Sequence, residues 1–561
     1  MLHLMAPIAF SFAFFSSAVN ALDVSVPLSS SGAVTVSPSL CSFSIEQDRW
    51  PDWAGTTTKN TFFYNALENL KQITGEPPWI RIGADSEDHT NFNPATEYAD
   101  DIFPNYTATV PYPEASNITV GSKFYQLVSR LPANTHVWWG VNLRADNITA
   151  AYLETKAIVQ AFASSAVKSA GITLDFLEIG NEADLYVNNK GRVAPYGPTQ
   201  YVPEQVISHS YAARCSNPLP SWVNIATNVS SAAGLSSTSS TKLIGAAFAS
   251  SSHTTTGMSP QGIFAAGILK TKPGALITTI SQHHYSGSFC SGNGDLLQNL
   301  MTKSTIRSNL TSFLPDITAS QAQGLDYVLG ETNSYSCHGA PGVSNTAGAA
   351  LWALDYLLYA PQIGISRVFF HEGIGYKYNL IQPVALNRSI LDGSALAKPL
   401  APHFQPAYYA AIIAAEAIGK TGSTKAVELT IGSPTIAGYA FYESGTLARV
   451  LLINSKAYLS TTTTSRGSVH VSLDFTGSGT TPRVMEMKKL IIGHADDTAG
   501  LTWGGQTYET STGLVSGSES ALVTLVASGV NISDTEAILL QFLPPTAGLQ
   551  ERGCRLKSAE L

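Results

Sequence analysis

Between residues 42 and 371, eight short runs rich in β-branched and aromatic residues recur with helical segments between them. No other feature constrains the fold as strongly. The runs cover 42–46, 79–83, 136–142, 175–180, 242–247, 278–283, 326–330 and 366–371. Strands that alternate with helices pair in parallel, because each crossover returns the chain to the same end of the sheet. Eight such units close a barrel. The segments between carry helical periodicity. Phe62, Phe63, Ala66, Leu67, Leu70 and Ile73 share one face, residues 152–168 supply another helix, and the apolar stretch 347–360 reads as a buried one.

The pattern changes near residue 420. Short alternating runs at 427–431, 437–442, 448–454, 469–475, 483–492 and 537–542 are separated by Gly, Ser and Thr clusters, with no convincing helix between them. That is the signature of an antiparallel sandwich. The expected fold is α/β: a (β/α)8 TIM barrel over 38–420 with a C-terminal antiparallel β-sandwich over 421–545 and a tail over 546–561. Residues 22–37 also alternate and are expected to pair into the sandwich.

Residues 8–19 form an uncharged apolar run, too short for a bilayer of about 30 Å, and end in the small-x-small pattern Val19-Asn20-Ala21. Residues 1–21 therefore read as a signal peptide, with a buried N-terminal helix as the alternative, and the mature chain is expected to be secreted and extracellular. Seven Asn-x-Ser/Thr sequons, at Asn105, Asn117, Asn147, Asn228, Asn309, Asn387 and Asn531, permit glycosylation. The five cysteines, Cys41, Cys215, Cys290, Cys337 and Cys554, match no zinc spacing. Charged residues are only 13% of the chain, the net charge is −8, and no basic run stands out. A nucleic-acid partner needs clustered positive charge and is not expected. No membrane partner, cofactor or metal is expected either.

Catalytic side chains of a β/α barrel stand at the C-terminal ends of its strands. Strand four ends in Asn181-Glu182 and strand seven in Glu331. A lone carboxylate after an apolar strand is commonplace; two, on opposite sides of one barrel mouth, suit glycoside hydrolysis. One protonates the leaving oxygen while the other attacks the anomeric carbon or activates water. Ion pairs tying down the strand ends are the bland alternative.

Leu177-Glu-Ile-Gly-Asn181-Glu182 and Leu329-Gly-Glu331-Thr-Asn-Ser resemble the acid/base and nucleophile strands of clan A glycoside hydrolases. Phe43-Ser-Ile-Glu46, Trp79-Ile-Arg81-Ile-Gly83-Ala-Asp85, Gln282-His-His-Tyr285 and Val368-Phe-Phe-His371-Glu, with Tyr376 and Tyr378 beyond, narrow the resemblance to family 79, the β-glucuronidase and heparanase family. The resemblance implies that Glu182 is the general acid/base, Glu331 the nucleophile, and Asn181 the partner of the sugar 2-hydroxyl. Glu46 and Asp85 match polar contacts to the terminal sugar, although Asp85 equally suits a charge-balancing role. Tyr285 matches a tyrosine beside the nucleophile, with a packed core tyrosine as its alternative. Of His283 and His284 at most one points inward, since neighbours on a strand face opposite ways; His284 is favoured. The family holds a substrate carboxylate with backbone amides and a tyrosine after strand seven, helped by a tyrosine after strand eight. The matching residues are Tyr335, the amides of Cys337, His338 and Gly339, and Tyr378. Tyr335 lies one residue closer to Glu331 than the family pattern places it. Glu372 is an extra carboxylate whose charge would compete electrostatically with a uronate, and no role is assigned to it.

The resemblance implies a retaining exo-β-glucuronidase acting on glucuronic-acid-containing oligo- or polysaccharides, 4-O-methylated ones included. An endo-acting heparanase-like hydrolase is the second reading, disfavoured by the acidic balance because heparan sulfate calls for a basic cleft. A non-catalytic polysaccharide-binding protein is the third, disfavoured by the intact carboxylate pair. Cys290 and Cys337 follow strands six and seven, whose loops are neighbours at the mouth, so a disulfide between them is expected, with Cys215 as a competing partner.

Overall fold

The computed structural model describes residues 21–202 and 222–544. Eight parallel strands close a barrel: β1 (Cys41–Glu46), β2 (Ile80–Gly83), β3 (His136–Val141), β4 (Thr173–Ile179), β5 (Lys242–Phe248), β6 (Ile277–Ser288), β7 (Asp326–Ser336) and β8 (Val368–Glu372). Each pairs with its sequence neighbours, and β8 closes the ring on β1, with Val368 beside Cys41. The expected runs coincide with these strands. β6 and β7 run several residues further than their apolar cores, so both project beyond the barrel rim.

Helix boundaries follow from local chemistry. The helix Thr61–Thr74 starts where the Asn60 side chain accepts from the amides of Phe62 and Phe63, and stops at left-handed Gly75. The expected helix over 152–168 is two, Ile148–Phe162 and Ser165–Ser169, because Ser164 caps a new start by accepting from Val167. The helix Ala347–Tyr359 is buried along nearly its whole length, as its apolar run implies.

Inside the barrel, Trp138, Ile244, Val328 and Phe369 form an apolar floor. Polar side chains begin one layer above it. Between β2 and β3 the chain makes an excursion with a small sheet of Thr90–Phe92, Asn117–Val120 and Ala99–Ile102. The C-terminal region is two sheets. The larger contains Val34–Thr35, Lys425–Glu428, Ile436–Glu443, Thr446–Asn454, Glu536–Phe542 and Val484–Ile491, and the smaller joins Ala21–Pro27, Ser468–Thr476 and Val530–Ser533. The N-terminal strand pairs in parallel with Ser468–Thr476, and Val24 and Val26 enter the sandwich core.

Candidate active site

Two local devices aim the carboxylates. On β4, Gly180 has φ +81°, and a Cβ there would lie 2.5 Å from Leu143 Cβ and 2.7 Å from the Tyr186 hydroxyl oxygen. Only glycine fits, and the turn it permits carries Asn181 and Glu182 into the mouth. Glu182 itself is left-handed (φ 49°), held by its amide on the Ala247 carbonyl at 2.8 Å. On β7, Val328 faces the barrel interior, so strict alternation would turn Glu331 outward. A register shift between Leu329 and Thr332 absorbs Gly330 and reverses the parity. Glu331 then points inward beside His283, while Thr332 turns out to bond the His284 carbonyl.

One oxygen from each carboxylate and one His283 nitrogen lie within 4.8 Å of one another. These three are also the one group among the described residues with donors arranged to hold a metal ion. His283 Nδ1 lies 2.9 Å from Glu182 Oε1 and 3.9 Å from Glu331 Oε2. Glu331 Oε1 accepts from the Tyr285 hydroxyl at 2.7 Å, and its Oε2 from Arg81 Nη1 at 2.8 Å. Arg81 is fully buried on β2. It also donates to Glu178 Oε1, to Asn181 Oδ1 at 2.8 Å and to Ser44 Oγ at 2.9 Å. With its oxygen pinned on Arg81, the Asn181 amide must direct its NH2 elsewhere, as binding a sugar hydroxyl requires.

The same side chain thus stands in two electrostatic settings. Burial pushes the Glu182 carboxyl well up, and the negative charges of Glu331, Asp184 and Asp85 push it further. Burial also raises Glu331, but His371, His283, Arg81 and the Tyr285 hydrogen bond outweigh it and hold Glu331 well below the usual carboxylate range. Burial lowers both imidazoles, His283 to about 3, so the lasting positive charge on Glu331 is that of Arg81. One carboxyl keeps its proton while its neighbour stays ionised, the division of labour an acid and a nucleophile require.

Around the pair, Glu46 bonds Ser86 through Oε2 and lies 3.1 Å from His371 Nε2 through Oε1. Asp85 is half exposed and stands 3.6 Å from His89. Tyr378 lies against Tyr285 and His371, and Tyr376 stacks on His338 at 3.8 Å. Tyr335 shares a β7 face with Glu331 and Asn333, packed over Gly287. The Cys290–Cys337 disulfide joins the loops after β6 and β7, with the Cα atoms 5.1 Å apart. The competing Cys215 lies outside the described residues.

Two expectations change. His283, not His284, enters the site; His284 turns outward to bond and stack on Tyr356. The signal was present, since His283 lies two residues before Tyr285 and shares its face. The Gly339 amide is already spent on the Tyr335 carbonyl at 3.0 Å, so that residue donates nothing to a ligand. Cys337 and His338 are left-handed, and among the described residues their amides have no acceptor. Glu372, for which the sequence offered no role, accepts from the amides of Leu380 and Ile381 and anchors the loop beneath the tyrosines. Arg81, Glu178 and Glu114 were missed as site residues. For the first two the cue is a charged side chain within a buried apolar strand.

A carboxylate pair on the fourth and seventh strands of a (β/α)8 barrel, tuned apart in this way, makes the chain a glycoside hydrolase. A model described as the glycosyl hydrolase family 79 C-terminal beta domain matches residues 438–539. A β-glucuronidase of Neurospora crassa is 26% identical over 537 residues, 89% of either chain. A β-glucuronidase of Aspergillus niger is 28% identical over 510 residues, 87% of this chain and 86% of that one. Among solved structures, a 4-O-α-L-rhamnosyl-β-D-glucuronidase from Fusarium oxysporum 12S superposes with a TM-score of 0.72 at 23% identity, covering 93% of this chain and all of that one. A family 51 arabinofuranosidase from Xanthomonas axonopodis pv. citri reaches 0.58 at 13% identity over 93% of this chain. These two share the fold. The C-terminal region thus matches the family 79 C-terminal domain, and most of the chain is similar to fungal β-glucuronidases.

Proposed function

We propose that the protein is a secreted, retaining exo-β-glucuronidase. Glu331 attacks the anomeric carbon as Glu182 protonates the departing oxygen, and Glu182 then deprotonates the water that releases the sugar. The observation that carries this reading is the approach of the two carboxylates to within 4.8 Å. Such closeness suits direct attack better than it suits an inverting enzyme, whose carboxyl groups stand about 6.5–9.5 Å apart with a water between them. Asn181 is the partner of the 2-hydroxyl, with Glu46 and Asp85 as further sugar contacts.

Selectivity for a uronate is supported by neutral donors on the β7–β8 side: the hydroxyls of Tyr376 and Tyr378 and the open amides of Cys337 and His338. A hydrogen bond to a charged acceptor contributes roughly 1.5–3 kcal/mol, so two or three such bonds separate a uronate from a neutral sugar. Exo action is supported by the excursion after β2. It reaches the far rim, where Glu114 meets His338 at 2.5 Å, the Thr109 carbonyl accepts from Lys377 at 3.0 Å and the Tyr112 hydroxyl accepts from the Arg388 amide at 2.8 Å. A cleft bridged on one side admits chain ends. Secretion is supported by the apolar run and small-x-small site in residues 1–21, which lie almost wholly outside the described residues. Asn105, Asn117, Asn147, Asn387 and Asn531 are exposed and open to glycosylation, whereas Asn228 and Asn309 are half-buried.

The test is hydrolysis of an aryl β-glucuronide beside the matching aryl β-glucoside. The expected preference in kcat/KM is at least about 10²-fold for the glucuronide. Equal rates on both would remove the uronate reading and leave a glycoside hydrolase of other specificity.

A further inference from the structure

Beneath the catalytic pair lies a second pair of carboxyl groups that bond cleavage does not use. Glu87, in the turn after β2, and Glu178, on β4, are 0% and 1% exposed and lie side by side, since a Cβ on Gly83 would be 2.4 Å from Glu87 Oε2 and 3.5 Å from Glu178 Oε1. Two glycines make room for Glu87. A Cβ on Gly140 of β3 would lie 1.8 Å from Glu87 Oε2, and one on Gly83 of β2 would lie 2.4 Å from the same atom. Arg81 is the cation in reach. Its Nε and Nη2 bind Glu178 Oε1 at 2.9 and 2.6 Å, and Nη2 stands 3.8 Å from Glu87 Oε2. Since Arg81 also holds Glu331, three carboxyl groups share one guanidinium. The other acid nearby, Asp88 in the same turn, is occupied by the amides of Leu143, Arg144 and Asn181 and by the Tyr186 hydroxyl.

As carboxylates, Glu87 would have no donor for either oxygen and Glu178 none for Oε2. Buried acceptors without donors are costly, and a third negative charge beside a single guanidinium adds to the cost. One proton removes the third charge and pairs two of these three oxygens, because a carboxylic acid donates to the carboxylate it faces. We propose that Glu87 is a protonated carboxylic acid donating to Glu178, and that it acts as a positioning residue: it fixes Glu178, which fixes the Arg81 fork, which holds Glu331 aligned for attack. Burial and the facing Glu178 charge both push the Glu87 carboxyl well up, against the pull of Arg81. The kinetic part rests on the reading of Glu331 as nucleophile; the protonation state does not.

The test uses the full-length enzyme and its Glu87→Gln and Glu87→Met variants. The infrared difference spectrum of wild type minus Glu87→Gln at neutral pH is expected to hold a carboxylic-acid C=O band. Carboxylate bands in its place would overturn the protonation, whatever the activity. With an aryl β-glucuronide, Glu87→Gln offers Glu178 a neutral N–H donor, so kcat should stay within about threefold and both limbs of the pH profile should stay in place. Glu87→Met fills similar volume without a donor, and kcat should fall at least about tenfold with KM little changed. Full kcat in the Met variant, or an equal loss in both variants, would overturn the positioning role. A displaced pH limb in the Gln variant would show that Glu87 carries charge. Should the Met variant not fold, the Gln profile and the infrared band decide. An inactive wild type with the acid band present would instead locate the failure in the substrate reading.

Discussion

In the proposed mechanism, Glu182 and Glu331 are the same side chain made into an acid and a nucleophile by what surrounds them. Glu182 is raised, so its active, protonated form is present at low pH and lost as pH rises through its pKa. Glu331 is lowered, so its active, ionised form is present at higher pH and lost as pH falls. The pH profile should therefore be bell-shaped, with the basic limb set by Glu182. Part of what raises Glu182, after burial, is the Glu331 charge. In Glu331→Gln the Glu182 carboxyl should consequently titrate at lower pH, and carbon NMR of labelled glutamate measures the displacement. An unmoved resonance would mean that the two groups do not interact. The variants should also fail differently. Glu331→Gln should be nearly inactive, whereas Glu182→Gln should show a burst on substrates with good leaving groups, then stall. Azide should rescue Glu182→Gln with a β-glucuronosyl azide and Glu331→Gly with an α-product. The reverse pattern would exchange the roles. Both carboxylates were legible because each directly follows an apolar strand. His283 was not, because two adjacent histidines look alike until the face shared with Tyr285 is counted.

Among the elements, β7 decides most. Its bulge at Gly330 turns Glu331 inward, and the space is tight: a Cβ there would lie 2.1 Å from Ser281 Oγ and 2.5 Å from Trp138 Cη2. Gly330→Ala should destabilise the fold by about 1–3 kcal/mol through overpacking, and should lower kcat more than KM as Glu331 shifts. Denaturant melts and steady-state kinetics read both, and an unchanged kcat would show that the bulge does not aim the carboxylate. Such a bulge is invisible to pattern reading, since one extra residue leaves the apolar run intact. The excursion between β2 and β3 escaped notice for another reason. Its strands are only three or four residues long, and Ala99–Ile102, with two aspartates, carries no apolar alternation. Glu114 therefore gave no sign of reaching His338.

Across the whole molecule, barrel and sandwich are tied by charge as well as by apolar contact. Arg307, on the barrel helix Lys303–Thr311, binds Asp355 at 2.8 Å, Glu428 of the sandwich at 2.7 Å and the Tyr439 hydroxyl at 3.0 Å. Asp355 is buried, so Arg307→Ala leaves an unpaired interior charge. It should cost about 3 kcal/mol and lower the melting temperature of both regions together. Separate transitions, with the barrel unaffected, would show that the two regions fold independently. The division into barrel and sandwich was legible because period and turn chemistry change near residue 420; the parallel pairing of Ala21–Pro27 with Ser468–Thr476 was not, since no local pattern selects a partner so distant in sequence. The proposed retaining mechanism passes through a covalent sugar carried by one residue. Incubation with a 2-deoxy-2-fluoro-glucuronide bearing an activated leaving group slows release of the intermediate, and peptide mapping by mass spectrometry locates the ester. The predicted site is Glu331. A label on Glu182, or no adduct together with an inverted first product from the ordinary substrate, would contradict it.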